Sequence, residues 1–370
     1  MRIYFDNNAT TPVDPAVIDA LTASLRDVYG NASSIHKEGQ AARRAIEEAR
    51  ESVAQLIGAT AREVVFLSGG TEANNAAIFG AAAGSIVTTA IEHPSVLEPI
   101  AELQRRGHEV VTVAPQRSGE VAAEAVIDAI RDDTRLVCVM LANNETGVIQ
   151  PVEAIGRVCR ERGIHFHVDA VQGAGKIDID VETIACDTLA LSAHKIHAPK
   201  GIGALFVRRG ITMSPYIFGG AQERRRRAGT ENVPLASAFG VAARMAADRE
   251  QWERVRELRD EFEARLTGAF TINGATAPRI PNTSNITFHG ADGEGIVIGL
   301  DLAGIAVSTG SACSSGRVEP SHVLLAMGLT PDEAKSTVRF SISRFTTEEE
   351  VAKVVDVLRD VVPRCTRKSN

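Results

Sequence analysis

Residues 63–75 read EVVFLSGGTEANN. The run VVFL suits a buried strand, and the segment opening at Thr71 suits a helix. Between them, Gly69 and Gly70 let backbone N–H groups converge, and Thr71 adds a hydroxyl. A helix N-terminus at this point favours an anion. A phosphate-bearing ligand that is not a dinucleotide fits this turn best; a plain tight turn with a capped helix is the simpler alternative. The other glycine-rich stretches are weaker. No G-x-G-x-x-G follows a strand, and GAGK (173–176) lacks the upstream glycine and the following Ser/Thr of a nucleotide-binding loop.

Working outward, the same texture extends from about residue 63 to 207. Strands are expected at EVVFL (63–67), SIVTTAI (85–91), EVVTV (109–113), RLVCVML (135–141), IHFHVD (164–169), DTLALS (187–192) and IGALFV (202–207), with helical patterns at 95–106, 121–131 and 152–162. Strands alternating with helices predict an α/β fold around a mostly parallel sheet, whose ligands lie beyond the carboxyl ends of the strands. Past Pro234 the texture changes. Trp252, Val255, Leu258, Phe262 and Leu266 form one apolar stripe on a charge-rich helix, and the rest mixes helix and strand signals. A chain of 370 residues suggests two domains, at about 100–200 residues each.

The composition is ordinary for a globular protein: 44% hydrophobic, 24% charged, with a formal charge of −7. That charge lacks the basic field a nucleic-acid backbone requires, so no direct nucleic-acid partner is expected. RRRR (224–227) reads as a solvated or intersubunit arginine cluster. The uncharged stretch Ala73–Ile91 is broken by Asn74, Asn75, Gly80, Gly84 and Ser85, which argues against a membrane span. The amino terminus shows no apolar segment of the signal-peptide type, so a cytoplasmic location is expected. The five cysteines, Cys138, Cys159, Cys186, Cys313 and Cys365, include no C-x-x-C pair, which excludes a disulfide framework or a cysteine metal cluster.

Two strand ends carry candidate chemistry. His165, His167 and Asp169 share one face of IHFHVD, so a metal site is conceivable; two packed histidines and a single functional acid is the plainer reading, and no metal is expected. In ALSAHKIHAPKG (190–201), Ser192, His194 and Lys195 lie where a strand stops. A lysine that forms a Schiff base must be desolvated or close to other cations. An acid for a pyridinium nitrogen and a phosphate-binding helix terminus complete the parts of a pyridoxal phosphate site.

The ordered motifs YFDNNATTPV, GNASSIH, SGGTEANN, IEHPSV, NNETGVIQP, HVDAVQGAGK, LSAHKIHAPKGIGALFVRR, GGAQERRRRAGTEN, STGSACSSG and VRFSISRFTTEEE span residue 4 to about 350. The chain resembles the cysteine desulfurases of the NifS/IscS type, within the class V aminotransferase-like, fold-type I pyridoxal phosphate enzymes. The resemblance implies a large cofactor domain (15–250) with a seven-stranded sheet. It also implies a smaller α+β domain (1–14 and 251–370) carrying a catalytic cysteine loop at about 308–319. The implied cofactor is pyridoxal 5′-phosphate, the implied substrate L-cysteine, and the implied assembly a homodimer. The implied product sulfur goes as a persulfide to an acceptor protein for iron–sulfur cluster assembly or tRNA thiolation.

Residue by residue, the resemblance implies that Lys195 carries the cofactor, Asp169 pairs with the pyridine nitrogen, and His93 stacks on the ring and moves protons. Asn144 and Gln172 position the ring. Gly70, Thr71, Ser192 and His194 hold the phosphate, with Thr230 supplied by a second subunit. Arg339 takes the substrate carboxylate, with Asn31 nearby, and Cys313 is the nucleophile that receives sulfur. Four positions depart from the common pattern: Ala193 and Ala198 replace glycines beside Lys195, Ala32 stands where proline is common, and Arg225 where glycine is usual. The rival readings are an aminotransferase or selenocysteine lyase of the same class, and a non-catalytic sulfur-relay subunit.

Overall fold

The structure, a computed structural model, describes residues 2–81, 84–248, 250–309 and 319–366. Twelve strands are described: β1 (Ile3–Tyr4), β2 (Val64–Leu67), β3 (Ser85–Thr89), β4 (Val110–Val113), β5 (Thr134–Met140), β6 (His165–Asp169), β7 (Thr188–Ser192), β8 (Gly203–Val207), β9 (Phe270–Asn273), β10 (Thr283–Phe288), β11 (Ile305–Ala306) and β12 (Thr337–Ser341). All seven strands expected from the sequence are present, and they make one sheet in the order β2-β8-β7-β6-β5-β3-β4. Pairing is parallel from β4 to β7, while β8 runs antiparallel to both β7 and β2. Strands β2, β3, β7 and β8 are buried at every residue, which is why none of them carries a charged residue or alternates apolar with polar.

Helices cover the sheet. The expected helix at 152–162 is Val152–Arg162, closed by Gly163 in the left-handed conformation, and that at 95–106 is Pro94–Arg105, with His93 as its N-cap. The pattern at 121–131 yields only the short helix Ala123–Asp128. The apolar stripe of Trp252, Val255, Leu258 and Phe262 is buried on the helix Glu250–Ala264, whereas Leu266 lies past its end and packs as a partly buried neighbour.

Two main buried cores result. The first lies under the large sheet and also takes in Val323, Leu324, Met327, Leu329 and Ala334. The second joins Ile3 and Phe5 to Phe262, Ile286, Phe340 and Val355, around the antiparallel sheet β12-β10-β9 and the pair β1-β11. The amino-terminal segment connects them. Asn7 and Asn8 donate backbone N–H groups to Ser341, and Thr11 N–H reaches the His194 carbonyl at 3.1 Å.

The arginine run begins inside a turn in which Glu223, Arg224 and Arg225 have φ of 45°, 57° and 65°. This left-handed backbone is the physical reason that glycine suits position 225, and a non-glycine residue there costs about 1–2 kcal/mol. The turn is held by Glu223, whose buried carboxylate pairs twice with Arg50, at 2.6 and 2.9 Å.

Candidate functional site

Because β2, β3, β5, β6 and β7 point the same way, their carboxyl ends deliver residues to one edge of the sheet. A cavity of about 540 Å³ opens there, lined by Gly70, Thr71, His93, Asn144, Asp169, Gln172, Ser192, His194, Lys195 and Arg339. These ten sequence-expected residues are brought together. Two are not: Asn31 is exposed, its Oδ1 accepting Ser33 N–H, and Thr230 is exposed on a different cavity beside Arg227 and Glu231. Cys313 lies outside the described residues. Its flank Ser308 lines the main cavity.

The helix Gly70–Ala81 begins immediately after β2 and its turn, as the opening motif implies. Gly70 is needed for packing. A Cβ there would come within 2.8 Å of Val171 Cγ2, so a side chain at this position would push against the segment just past β6, whereas Ser192 Cβ at 3.4 Å would be an ordinary contact. The helix N-terminus meets Thr71, Ser192 and His194 at one corner of the cavity. Burial and the nearby Lys195 charge bring His194 down to about 4, so it is neutral; Nδ1 lies 3.1 Å from the Thr10 hydroxyl.

Lys195 sits in the single turn that ends β7. Burial, reinforced by the Arg339 charge, lowers its pKa to about 8. The amine is held by main-chain carbonyls of the amino-terminal segment, Asn8 and, at 2.9 Å, Ala9. Gln172 donates Nε2 to Asn8 O at 2.9 Å, and its Oε1 accepts from the buried Lys176 amine at 2.9 Å, so its amide can face only one way. Arg339, on β12, donates to Asp6 Oδ1 at 2.8 Å and to Asn144 O at 3.0 Å, while its buried Nε has no partner among the described residues.

Sequence reading did not assign roles to Asp6, Asn8, Asn74, Ser95 and Lys176. Each lay inside or close to a quoted motif, but its partners are remote in sequence. The histidines of β6 are absorbed into hydrogen bonds: His165 and His167 both contact Thr188, and His167 also contacts Asn74. Among the described residues no group of three His, Cys, Asp or Glu could hold a metal ion. Among them, too, no helix is long and apolar enough to cross a membrane.

Glu92, beside His93, is wholly buried. Its Oε1 accepts from Thr89 at 2.7 Å and Met140 N–H at 2.9 Å, and Oε2 has no partner among the described residues. Burial, with the Asp169 charge adding to it, pushes its pKa from 4.5 up to about 8. Between those values the folded chain keeps a proton that the unfolded chain has lost. Stability therefore falls as pH rises, by up to about 1.4 kcal/mol per pH unit. Glu92→Gln is expected to remove this slope. Urea unfolding at pH 5 and pH 8 measures it, and an equal pH loss in parent and variant would refute the assignment.

The donor set fits pyridoxal 5′-phosphate. An anion cradle, an amine kept below its usual range, an acceptor carboxylate at a strand end and a guanidinium with an unpartnered N–H surround one space. Lys195 could hold the aldehyde, Asp169 the ring nitrogen, and the Gly70–Thr71 helix start the phosphate. A model of the aminotransferase class-V family matches residues 3–354, and the chain belongs to that family, whose members use pyridoxal 5′-phosphate. The chain is similar to a cysteine desulfurase of Trichormus azollae, 45% identical over 372 residues, covering 98% of this chain and 93% of that one. A solved NifS-like protein matches with a TM-score of 0.91 at 35% identity, over 98% of this chain and all of the other (100%). A second solved structure, SspA in complex with cysteine, matches at a TM-score of 0.84 and 36% identity, over 94% of this chain and 100% of that one.

Proposed function

We propose that this protein is a pyridoxal phosphate-dependent cysteine desulfurase. It converts L-cysteine to L-alanine and passes the sulfur to Cys313 as a persulfide. The observation that carries this reading is the single cavity that joins the depressed Lys195 amine, Asp169 and Arg339. The similarity to cysteine desulfurases over nearly the whole chain supports it.

When bound, the cofactor supplies a carbonyl carbon that condenses with amines and a ring that accepts electrons released at the substrate. The residues do the rest. Arg339 binds the cysteine carboxylate through guanidinium N–H groups beyond those it gives to Asp6 and Asn144. Asp169 holds a proton on the ring nitrogen, and Lys195 and His93 carry protons to and from the substrate carbons. The Cys313 thiolate takes the substrate sulfur: the Cβ–S bond breaks, an S–S bond forms, and Cβ gains the proton that completes alanine. One cysteine and one thiol become one alanine and one persulfide, so no external oxidant is consumed.

The enzyme acts as a homodimer in this reading. The loop holding Asn31 and the segment leading to Thr230 lie together, since Ala32, Ser33, Glu223, Arg224 and Glu231 line one shared cavity. Tyr29, Ile35 and Phe218, in the same two stretches, are 77%, 90% and 81% exposed, which suits a face covered by a second copy. Thr230 then completes the partner's phosphate site. The persulfide leaves to an acceptor protein serving iron–sulfur assembly or tRNA thiolation.

The test is to give the purified holoenzyme L-cysteine and a reductant and to assay products together. Alanine and sulfide in equal amounts are expected; alanine without sulfide, or neither, would sink the proposal. Arg339→Gln is expected to raise KM for cysteine about 10- to 100-fold, the worth of a charge-assisted hydrogen bond pair, with a smaller change in kcat. An unchanged KM would remove Arg339 from substrate binding.

A further inference from the structure

Behind the cavity wall runs one chain of hydrogen bonds, and a single charge dictates its direction. Asp169 accepts Val171 N–H on Oδ1 at 3.0 Å and the Asn74 amide nitrogen on Oδ2 at 2.8 Å. A carboxylate only accepts, so Asn74 must turn its NH2 toward Asp169 and its oxygen away. That oxygen lies 3.0 Å from His167 Nε2, which must therefore carry a proton. His167 is neutral, burial lowering its pKa to about 3, so its Nδ1 is bare and accepts from the Thr188 hydroxyl at 3.0 Å. The Thr188 oxygen accepts in turn from His165 Nε2 at 2.9 Å.

The second branch leads to the reaction centre. The other Asn74 amide hydrogen goes to Ser95 Oγ at 2.8 Å. Ser95 then donates its own hydroxyl proton to His93 Nδ1 at 2.7 Å, and the Ser95 backbone N–H donates to the same nitrogen at 3.0 Å. With Nδ1 twice engaged as an acceptor, neutral His93 carries its proton on Nε2. Burial lowers the His93 pKa, so the neutral form is the resting one.

We propose that Asn74 is a positioning residue which ties the Asp169 carboxylate to His93 and fixes His93 as the Nε2–H tautomer, so that resting His93 presents a hydrogen-bond donor and not a base to the cavity, while Lys195 is the group that takes up the substrate proton. This rests on the desulfurase reading above and narrows which of its two proton carriers can act as the base. The Lys195 amine, with its pKa near 8, is available as a base at neutral to mildly alkaline pH.

The first part of the test needs no turnover. Long-range 1H–15N spectra of the holoenzyme with 15N-labelled histidine, recorded without substrate, are expected to show His93 as neutral Nε2–H, identified by its loss in His93→Gln. His167 is expected as Nε2–H and non-titrating between about pH 5 and 8. In Asn74→Leu the His93 pattern is expected to become a mixture of tautomers, the cofactor absorbance to titrate at a different pH, and kcat to fall about tenfold or more with KM for cysteine little changed. Ser95→Ala is expected to disturb His93 and leave the cofactor titration in place. A resting His93 protonated on Nδ1, or an Asn74→Leu enzyme with parental histidine spectra and pH profile, would overturn the proposal. A holoenzyme that makes no alanine would instead sink the desulfurase reading, because the tautomers are read before any cysteine is added.

Discussion

Lys195→Ala is expected to abolish turnover of cysteine, by about 1,000-fold or more, while leaving the fold intact. Two contributions are lost together: the amine that would attach the cofactor and the base that would take a proton from the substrate, the latter alone worth about 100- to 10,000-fold. The structure explains why this lysine is suited to both. With a pKa near 8, about half of Lys195 is free amine at pH 8, whereas at the ordinary value of 10.5 well under about one percent would be. Desolvation contributes most and Arg339 next, and the Asn8 and Ala9 carbonyls keep the amine oriented toward the amino-terminal segment. Borohydride reduction gives a direct readout. The parent should retain one cofactor mass on the peptide containing Lys195, and the variant none. Cofactor trapped on the buried Lys176 would overturn the assignment.

Cys313→Ser is expected to keep bound cofactor and cysteine binding but to lose alanine and sulfide production by a comparable factor. A hydroxyl at this position is a far poorer nucleophile toward sulfur than a thiolate, and no persulfide can form on it. The other thiols cannot readily substitute. Cys138, Cys159 and Cys186 are buried, and burial pushes their pKa values up, to about 12 for the last two; Cys365 is raised as well. Cys313 follows the cavity-lining Ser308 by five residues, a reach of at most about 17 Å at extended-chain spacing. Persulfide labelling after a single addition of cysteine should mark Cys313 in the parent and nothing in the variant. Full-rate alanine formation by the variant would show that sulfur leaves by another route.

Much of this architecture was legible because the physics involved is local. Strands buried on both faces carry no charge and are rich in apolar and β-branched residues, so VVFL, SIVTT and GALFV declared themselves. The turn at Gly69–Gly70 likewise announced a helix N-terminus. The pattern at 121–131 overstated a helix that ends at Asp128, because apolar spacing indicates a buried face without fixing where the backbone leaves it. Strand order was not legible, nor was the reversal of β8, since a strand's own residues do not name its neighbour.

The sequence by itself determined the α/β class, the seven strands of the sheet, the glycine turn that opens a helix and many of the residues that line the cavity. Only the tertiary structure decided how those residues are held. Asn74 meets Asp169 across 95 positions, and Arg339 meets Asp6 across 333. Parallel strand ends gather groups from distant parts of the chain, and the low-dielectric interior they create sets the direction of each hydrogen bond and the pKa of each amine and carboxyl. Short spacing rules report residue type and local period; they carry no information about which buried donor will face which acceptor.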